Sequence, residues 1–271
     1  MSCAVLGPGL VGTYLGAACA APLAIGRIPG GNIDALVALP DGVRRWTVPN
    51  GVLADGGELP VLLATRCHQS PWVPLGSIAA QNGIGQTIPV VVCFMAIDRT
   101  ADGVVRAVGP RPRLVLADPG QQWAAVVQAW QSRGLQVEVV PDVRPAQWEK
   151  TIFNATVGPL CRARRVSMAA LWADAAARQL VMTATLEGIA VARAAGVALD
   201  ERVLIRAEEF FSGVGAHTPS VIADAGELPW VLGALGHAAH QAAVENLAVA
   251  TPALAAIARE VGTAFYPKKR S

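Results

Sequence analysis

Lysine is almost missing from this chain: three of its 22 basic residues are lysine, and two of them, Lys268 and Lys269, belong to the terminal PKKRS, read as a solvated tail. Everywhere else positive charge is supplied by arginine, with one exception, Lys150. An excess of one charge is missing as well. The 22 basic and 20 acidic residues leave a formal net charge of +2, which excludes a field able to gather nucleic acid or an anionic membrane surface. Paired cysteine spacing is the third absence. Cys3, Cys19, Cys67, Cys93 and Cys161 include no C-x-x-C and are odd in number, which argues against a disulfide framework and for a reducing compartment, by default the cytoplasm. No metal site is expected.

What the chain does have is apolar mass, 53% hydrophobic residues in 271, enough for a large buried core. The uncharged stretch CAVLGPGLVGTYLGAACAAPLAIG approaches the length of a bilayer span. A spanning helix tolerates Gly7, Pro8 and Gly9 together poorly, and no basic segment precedes the run as in a signal peptide, so no membrane role is expected. The stretch is read instead as strand, glycine turn, helix and second strand.

Two regimes of periodicity follow. Up to about residue 140, short runs rich in β-branched residues (CAVLG, APLAIG, LPVLLAT, SIAAQ, PVVVCFMAI, LQVEVV) alternate with glycine and proline. Continuous apolar runs of this kind suit strands of a parallel sheet covered on both faces. After PDVRPAQ the spacing becomes helical: MAALWADAAARQLVMTATLEGIAVARAAG predicts one long helix ending at Gly196. TPALAAIAREVG predicts another, capped by Thr251, with Pro252 in its first turn and Gly262 at its end. The expected division is an α/β domain over 1–142 and an all-helical domain over 143–271.

VLGPGLVG sets Gly7, Gly9 and Gly12 in a G-x-G-x-x-G pattern between a strand and a helix. In such a turn the first glycine allows the tight bend, the second lets a pyrophosphate approach the backbone, and the third lets helix pack on strand. The amides of Gly9, Leu10, Val11 and Gly12 then face the phosphates at the helix N-terminus. Where an acidic residue would read a ribose hydroxyl, APLAIGR ends in Arg27. A guanidinium there clasps a 2′-phosphate, which favours NADP(H) over NAD.

Pro145 opens the helix that bears WEKTIFNATVGPL, on which Lys150 and Asn154 are one turn apart and leave the same face. Phe153 and Val157 make a neighbouring apolar stripe. The lysine stands near the expected domain junction, where ligands tend to bind. Arginine holds its proton at any neutral pH, whereas a desolvated lysine can be tuned to give one to a carbonyl oxygen that receives hydride.

Taken in order, VLGPGLVGTYLGA, QNGIG, GVVRAVGP, WEKTIFNATVGPL, LEGIAVARAAGV and PSVIAD resemble the ketopantoate reductase (2-dehydropantoate 2-reductase) family over almost the whole chain. The resemblance implies a Rossmann N-terminal domain and an all-α C-terminal domain of the 6-phosphogluconate dehydrogenase C-terminal type. It implies that Lys150 is the catalytic lysine, that Asn82, Asn154 and Ser220 hold the substrate, that Asn82 also lies near the nicotinamide, and that Arg27 reads the NADP phosphate. Arg66, in ATR, replaces the lysine of the family's VKA and takes a cofactor or substrate position.

Two departures fall on the substrate side. Gly158 replaces a second asparagine of the lysine helix, and Leu232 stands where the family carries a glutamate. Glu227, His237 and His240 are nearby candidates for a substitute, and Leu232 with Trp230 is expected to give a less polar pocket. The expected activity is therefore NADPH-dependent reduction of a 2-oxo acid or of a larger, less polar ketone or imine. The alternative is a cofactor-binding relative with a non-reductive or regulatory role. A homodimer through the helical domain is the expected assembly.

Overall fold

The computed structural model describes residues 3–7, 9–25, 30–50, 61–64, 71–72, 88–118, 120–199, 201–223, 225–263 and 265. They fall into two compact units, one of the described residues up to Val143 except Pro71 and Trp72, the other of those two and the residues from Arg144 onward.

In the first unit, strand β1 (Ala4–Leu6) runs through the glycine turn into helix α1 (Leu10–Ala18), followed by β2 (Leu23–Ile25). A hairpin of β3 (Asn32–Leu39) and β4 (Gly42–Pro49) comes next, then β5 (Val61–Leu63), β6 (Val91–Arg99) and β7 (Val105–Ala117). After a 3-10 turn at Gln121–Trp123, helix α2 (Ala124–Ser132) leads to β8 (Gln136–Val140). Strand β1 is central in a parallel sheet of order β2-β1-β5. The chain thus leaves β1 to one side for β2 and returns on the other as β5, the reversal that opens a crevice at the carboxyl end of a strand.

The second sheet departs from the all-parallel expectation. It has the order β4-β3-β7-β6 with β8 also on β7, and its β6–β7 and β3–β4 pairs are antiparallel. The reason is the length of the connections. Thr100 to Val104 closes β6 on β7 through a turn with Gly103 at φ 86, and Gly42 at φ 133 closes the hairpin. Neither connection could carry a parallel crossover. The apolar run of β6 is buried from Val91 to Ile97, so continuity of burial, and not strand direction, is what that run encodes. The predicted strand SIAAQ lies outside the described residues.

Helix α1 is buried from Gly12 to Ala18 and is pinned by two indoles. Trp46 donates to the Ala21 carbonyl at 3.0 Å and Trp130 to the Leu15 carbonyl at 3.2 Å, so each ring fills the core while its N–H is satisfied. Burial, with a smaller contribution from the charge of Asp41, pushes the Tyr14 phenol up to about 12.

In the second unit, helix α3 (Arg144–Arg164) is followed by α4 (Met168–Ala173), α5 (Ala175–Ala194) and α6 (Arg202–Gly213). Then come the short α7 (Ser220–Ala223), a 3-10 turn at Ala225–Trp230, α8 (Leu232–Val244) and α9 (Pro252–Glu260). Helix α3 is buried from Ala146 to Cys161 except at Asn154.

Two sequence expectations are corrected here. The single long helix to Gly196 is broken at Asp174, whose carboxylate accepts from the amides of Ala176 and Ala177 at 2.9 and 3.2 Å and so starts a new helix. The expected cap of α9 is replaced too. The Thr251 side chain makes no cap bond, and Glu187 of α5 instead accepts from the amides of Ala253 and Leu254 at 2.9 and 2.8 Å. A buried carboxylate against a helix N-terminus satisfies two orphan donors and the positive end of the dipole together.

Two outcomes follow from this packing. Glu187→Ala leaves two buried amides without an acceptor and is expected to cost about 1–3 kcal/mol in urea unfolding, with Glu187→Gln intermediate. The unfolded phenol ionises near pH 10, below the folded Tyr14, so stability is present below about 10 and is lost as pH rises towards about 12. A phenolate absorbance titration with parallel melting curves checks this, and Tyr14→Phe should remove that part of the alkaline loss.

Candidate functional site

In the first unit the candidate site is the glycine turn. Gly7 holds φ at 89, in the left-handed region open to glycine, and turns the chain between β1 and α1. A Cβ on Gly12 would run into the carbonyl oxygen of Gly7 and meet Val5 and Ala64 at 3.1 Å, so this helix can lie so close to its strands only with glycine there. At Gly9 the reverse holds: a Cβ would meet nothing within 4 Å, which leaves space for a ligand against the backbone. No side chain caps α1, its first turn holds no acidic residue, and Leu10 is exposed. The first-turn amides of Leu10 and Val11 have no intrahelical acceptor, as in any helix. Space at Gly9, uncapped amides and the absence of negative charge fit a phosphate. Arg27, Arg66 and Asn82 lie outside the described residues.

In the second unit the candidate residues are carried by helix α3. Lys150 is buried, at 8% relative exposure, and its Nζ stands over the Phe210 ring, 5.4 Å from the centroid. Beside it the Glu149 carboxylate receives two guanidinium bonds from Arg206, Nε to Oε1 at 2.8 Å and the second nitrogen to Oε2 at 2.7 Å. Asn154 is exposed one turn after Lys150. One further turn on, a Cβ at Gly158 would meet Val221 at 3.0 Å and Pro219 at 3.7 Å. The missing asparagine is therefore replaced by close packing. The bare helix surface at Gly158 receives the segment that carries Ser220, and Arg162 fastens the same segment by donating to the carbonyls of Val221 and Ile222 at 2.9 and 2.6 Å. Lys150, Asn154 and the Ser220 segment thus follow one another along one side of α3.

The less polar pocket expected from Leu232 needs correction. Leu232 is completely buried in the first turn of α8 and Trp230 is exposed, so leucine there completes packing and lines no open pocket. His237 and His240 are both exposed on α8, and the Glu227 side chain lies outside the described residues. Two features were missed from sequence: the Glu149–Arg206 pair and Phe210. A signal for them exists, since Arg206 and Phe210 are one turn apart on α6 and Glu149 directly precedes Lys150.

Among the described residues no cluster of His, Cys, Asp and Glu could hold a metal ion, and no helix is long and apolar enough to cross a membrane. Restoring the asparagine is expected to displace Val221 and Pro219: Gly158→Asn should lower stability by about 1–3 kcal/mol in urea unfolding.

Residues 142–263 match the family model described as ketopantoate reductase PanE/ApbA C terminal. A 2-dehydropantoate 2-reductase of Halobacterium salinarum is 25% identical over 259 residues, covering 83% of this chain and 86% of the relative. In fold the chain is similar to a 2-dehydropantoate 2-reductase from Geobacter metallireducens, with a TM-score of 0.72, 20% identity and 96% and 99% coverage. It is equally similar to a D-mandelate dehydrogenase described with NADH and anilino(oxo)acetate, with a TM-score of 0.72, 18% identity and 96% and 97% coverage. The C-terminal match, the curated relative and the fold agree: residues 142–263 carry the C-terminal domain of the ketopantoate reductase family, and the chain as a whole is similar to ketopantoate reductases.

Proposed function

We propose that the chain is an NADPH-dependent reductase of 2-oxo acids, or of larger and less polar ketones or imines, in which Lys150 donates the proton. The observation that carries this reading is the arrangement on α3: a buried lysine, the only one before Lys268, followed one turn later by the exposed Asn154 and then by the docked Ser220 segment.

The turn at Gly7–Gly12 fits the pyrophosphate of the dinucleotide, with the amides of Leu10 and Val11 as donors and Gly9 giving access. Arg27, by its place in the sequence, favours the 2′-phosphate and so NADPH. When bound, the reduced nicotinamide supplies hydride. The acceptor carbon takes the hydride while its oxygen takes a proton from the Lys150 ammonium, and the neutral amine is reprotonated from solvent. Asn154 and Ser220, with Asn82 as the resemblance implies, orient the acceptor, Ser220 towards its carboxylate. The known relatives support a 2-oxo acid acceptor, since one is named for 2-dehydropantoate and another is described with anilino(oxo)acetate. Leu186, Ile205, Val244 and Leu247, exposed on or beside the helices of the second unit, support pairing of two copies through that unit.

Cofactor binding followed by NADPH and NADH fluorescence, then a screen of 2-oxo acids, ketones and cyclic imines for NADPH oxidation, tests the reading. Lys150→Ala is expected to lower turnover by roughly 10²-fold or more with NADPH affinity little changed. Lys150→Arg should not restore it, because a guanidinium does not yield its proton. Undiminished turnover in Lys150→Ala overturns the assignment, and cofactor binding without turnover of any acceptor favours a non-reductive role.

A further inference from the structure

We propose that Phe210 is the positioning residue for Lys150, and that the Glu149–Arg206 pair sets the place of Phe210; this rests on the reading of Lys150 as proton donor. Two of the contacts between helices α3 and α6 lie side by side. Consecutive residues Glu149 and Lys150 of α3 face Arg206 and Phe210 of α6, which are one turn apart and leave the same side of their helix. The Glu149 side chain is only 4% exposed, and its two-point grip by Arg206 fixes rotation and sliding of α6 against α3. One turn along α6, that register puts the Phe210 ring beneath the Lys150 ammonium.

The ring itself is braced. Phe153, three residues after Lys150, stands 6.1 Å from Phe210 and 5.2 Å from Phe211, and Phe211 packs on Trp172 at 5.6 Å. Phe210 therefore has little freedom to swing away. A lysine side chain has four rotatable carbons, and its head must be held in one place to give a proton in one direction. An aromatic face attracts the ammonium as a cation, yet accepts no strong hydrogen bond. The neighbouring carboxylate, Glu149, is directed instead to Arg206.

The scarcity of lysine makes a direct test possible. In protein labelled with [15N]lysine there are three side-chain Nζ sites, Lys150, Lys268 and Lys269, and Lys150→Met assigns the first. Phe210→Leu is expected to move the Lys150 ammonium signal downfield, since the shielding ring face is gone, and to lower kcat about tenfold with a smaller change in KM and none in NADPH affinity. Phe210→Trp, which restores a ring face, should recover kcat to within about threefold of the parent. Arg206→Met should move the same Lys150 signal although it does not touch the lysine. A fall in kcat with the Lys150 signal unmoved, or no rescue by tryptophan, overturns the proposal. If Phe210→Leu does not fold, Phe210→Met is read in the same way. The Nζ signal is independent of turnover: a wild-type protein that reduces no acceptor refutes the proton-donor reading, while an unshifted Lys150 signal in the Phe210 variants refutes the positioning role.

Discussion

Two opposite charges adjacent in the sequence, Glu149 and Lys150, are both buried on the same helix, and much of the helical unit is arranged around that fact. Burying a carboxylate or an ammonium costs several kcal/mol unless partners replace the lost water. Glu149 meets the cost with a bidentate arginine, and Lys150 lies against an aromatic face. Both partners come from α6, so the two charges also fix where that helix lies. Glu187 repeats the device elsewhere: its buried carboxylate is tolerated because it accepts the first amides of α9 and thereby joins α5 to α9.

The α/β unit depends on a steric constraint of a different kind. Helix α1 lies so close to β1 that only glycine fits at position 12, and the indoles of Trp46 and Trp130 pack on and bond to the same segment. Close packing leaves the first turn of α1 uncapped and open at Gly9, which is what a phosphate requires.

Gly158 and Leu232 have structural consequences that sequence alone does not suggest. Gly158 is a docking point: without a side chain it allows Pro219 and Val221 to lie against α3 and so brings Ser220 to the side that carries Lys150 and Asn154. Leu232 is completely buried in the helical core.

The sequence by itself determined the change from α/β to helical architecture, the glycine turn, the helix that bears Lys150 and Asn154, and the family resemblance. Each of these is written in local spacing: a period of two or of 3.6, a glycine at a fixed offset, or a motif in order. The capping of α9 by Glu187 in place of Thr251, the burial of Leu232 and the contact of Phe210 with Lys150 were decided by tertiary structure alone. They join residues as far apart as 67 positions, in the case of Glu187 and Leu254, and what selects such partners is the need to satisfy each buried charge and amide in the folded chain, which no local pattern records.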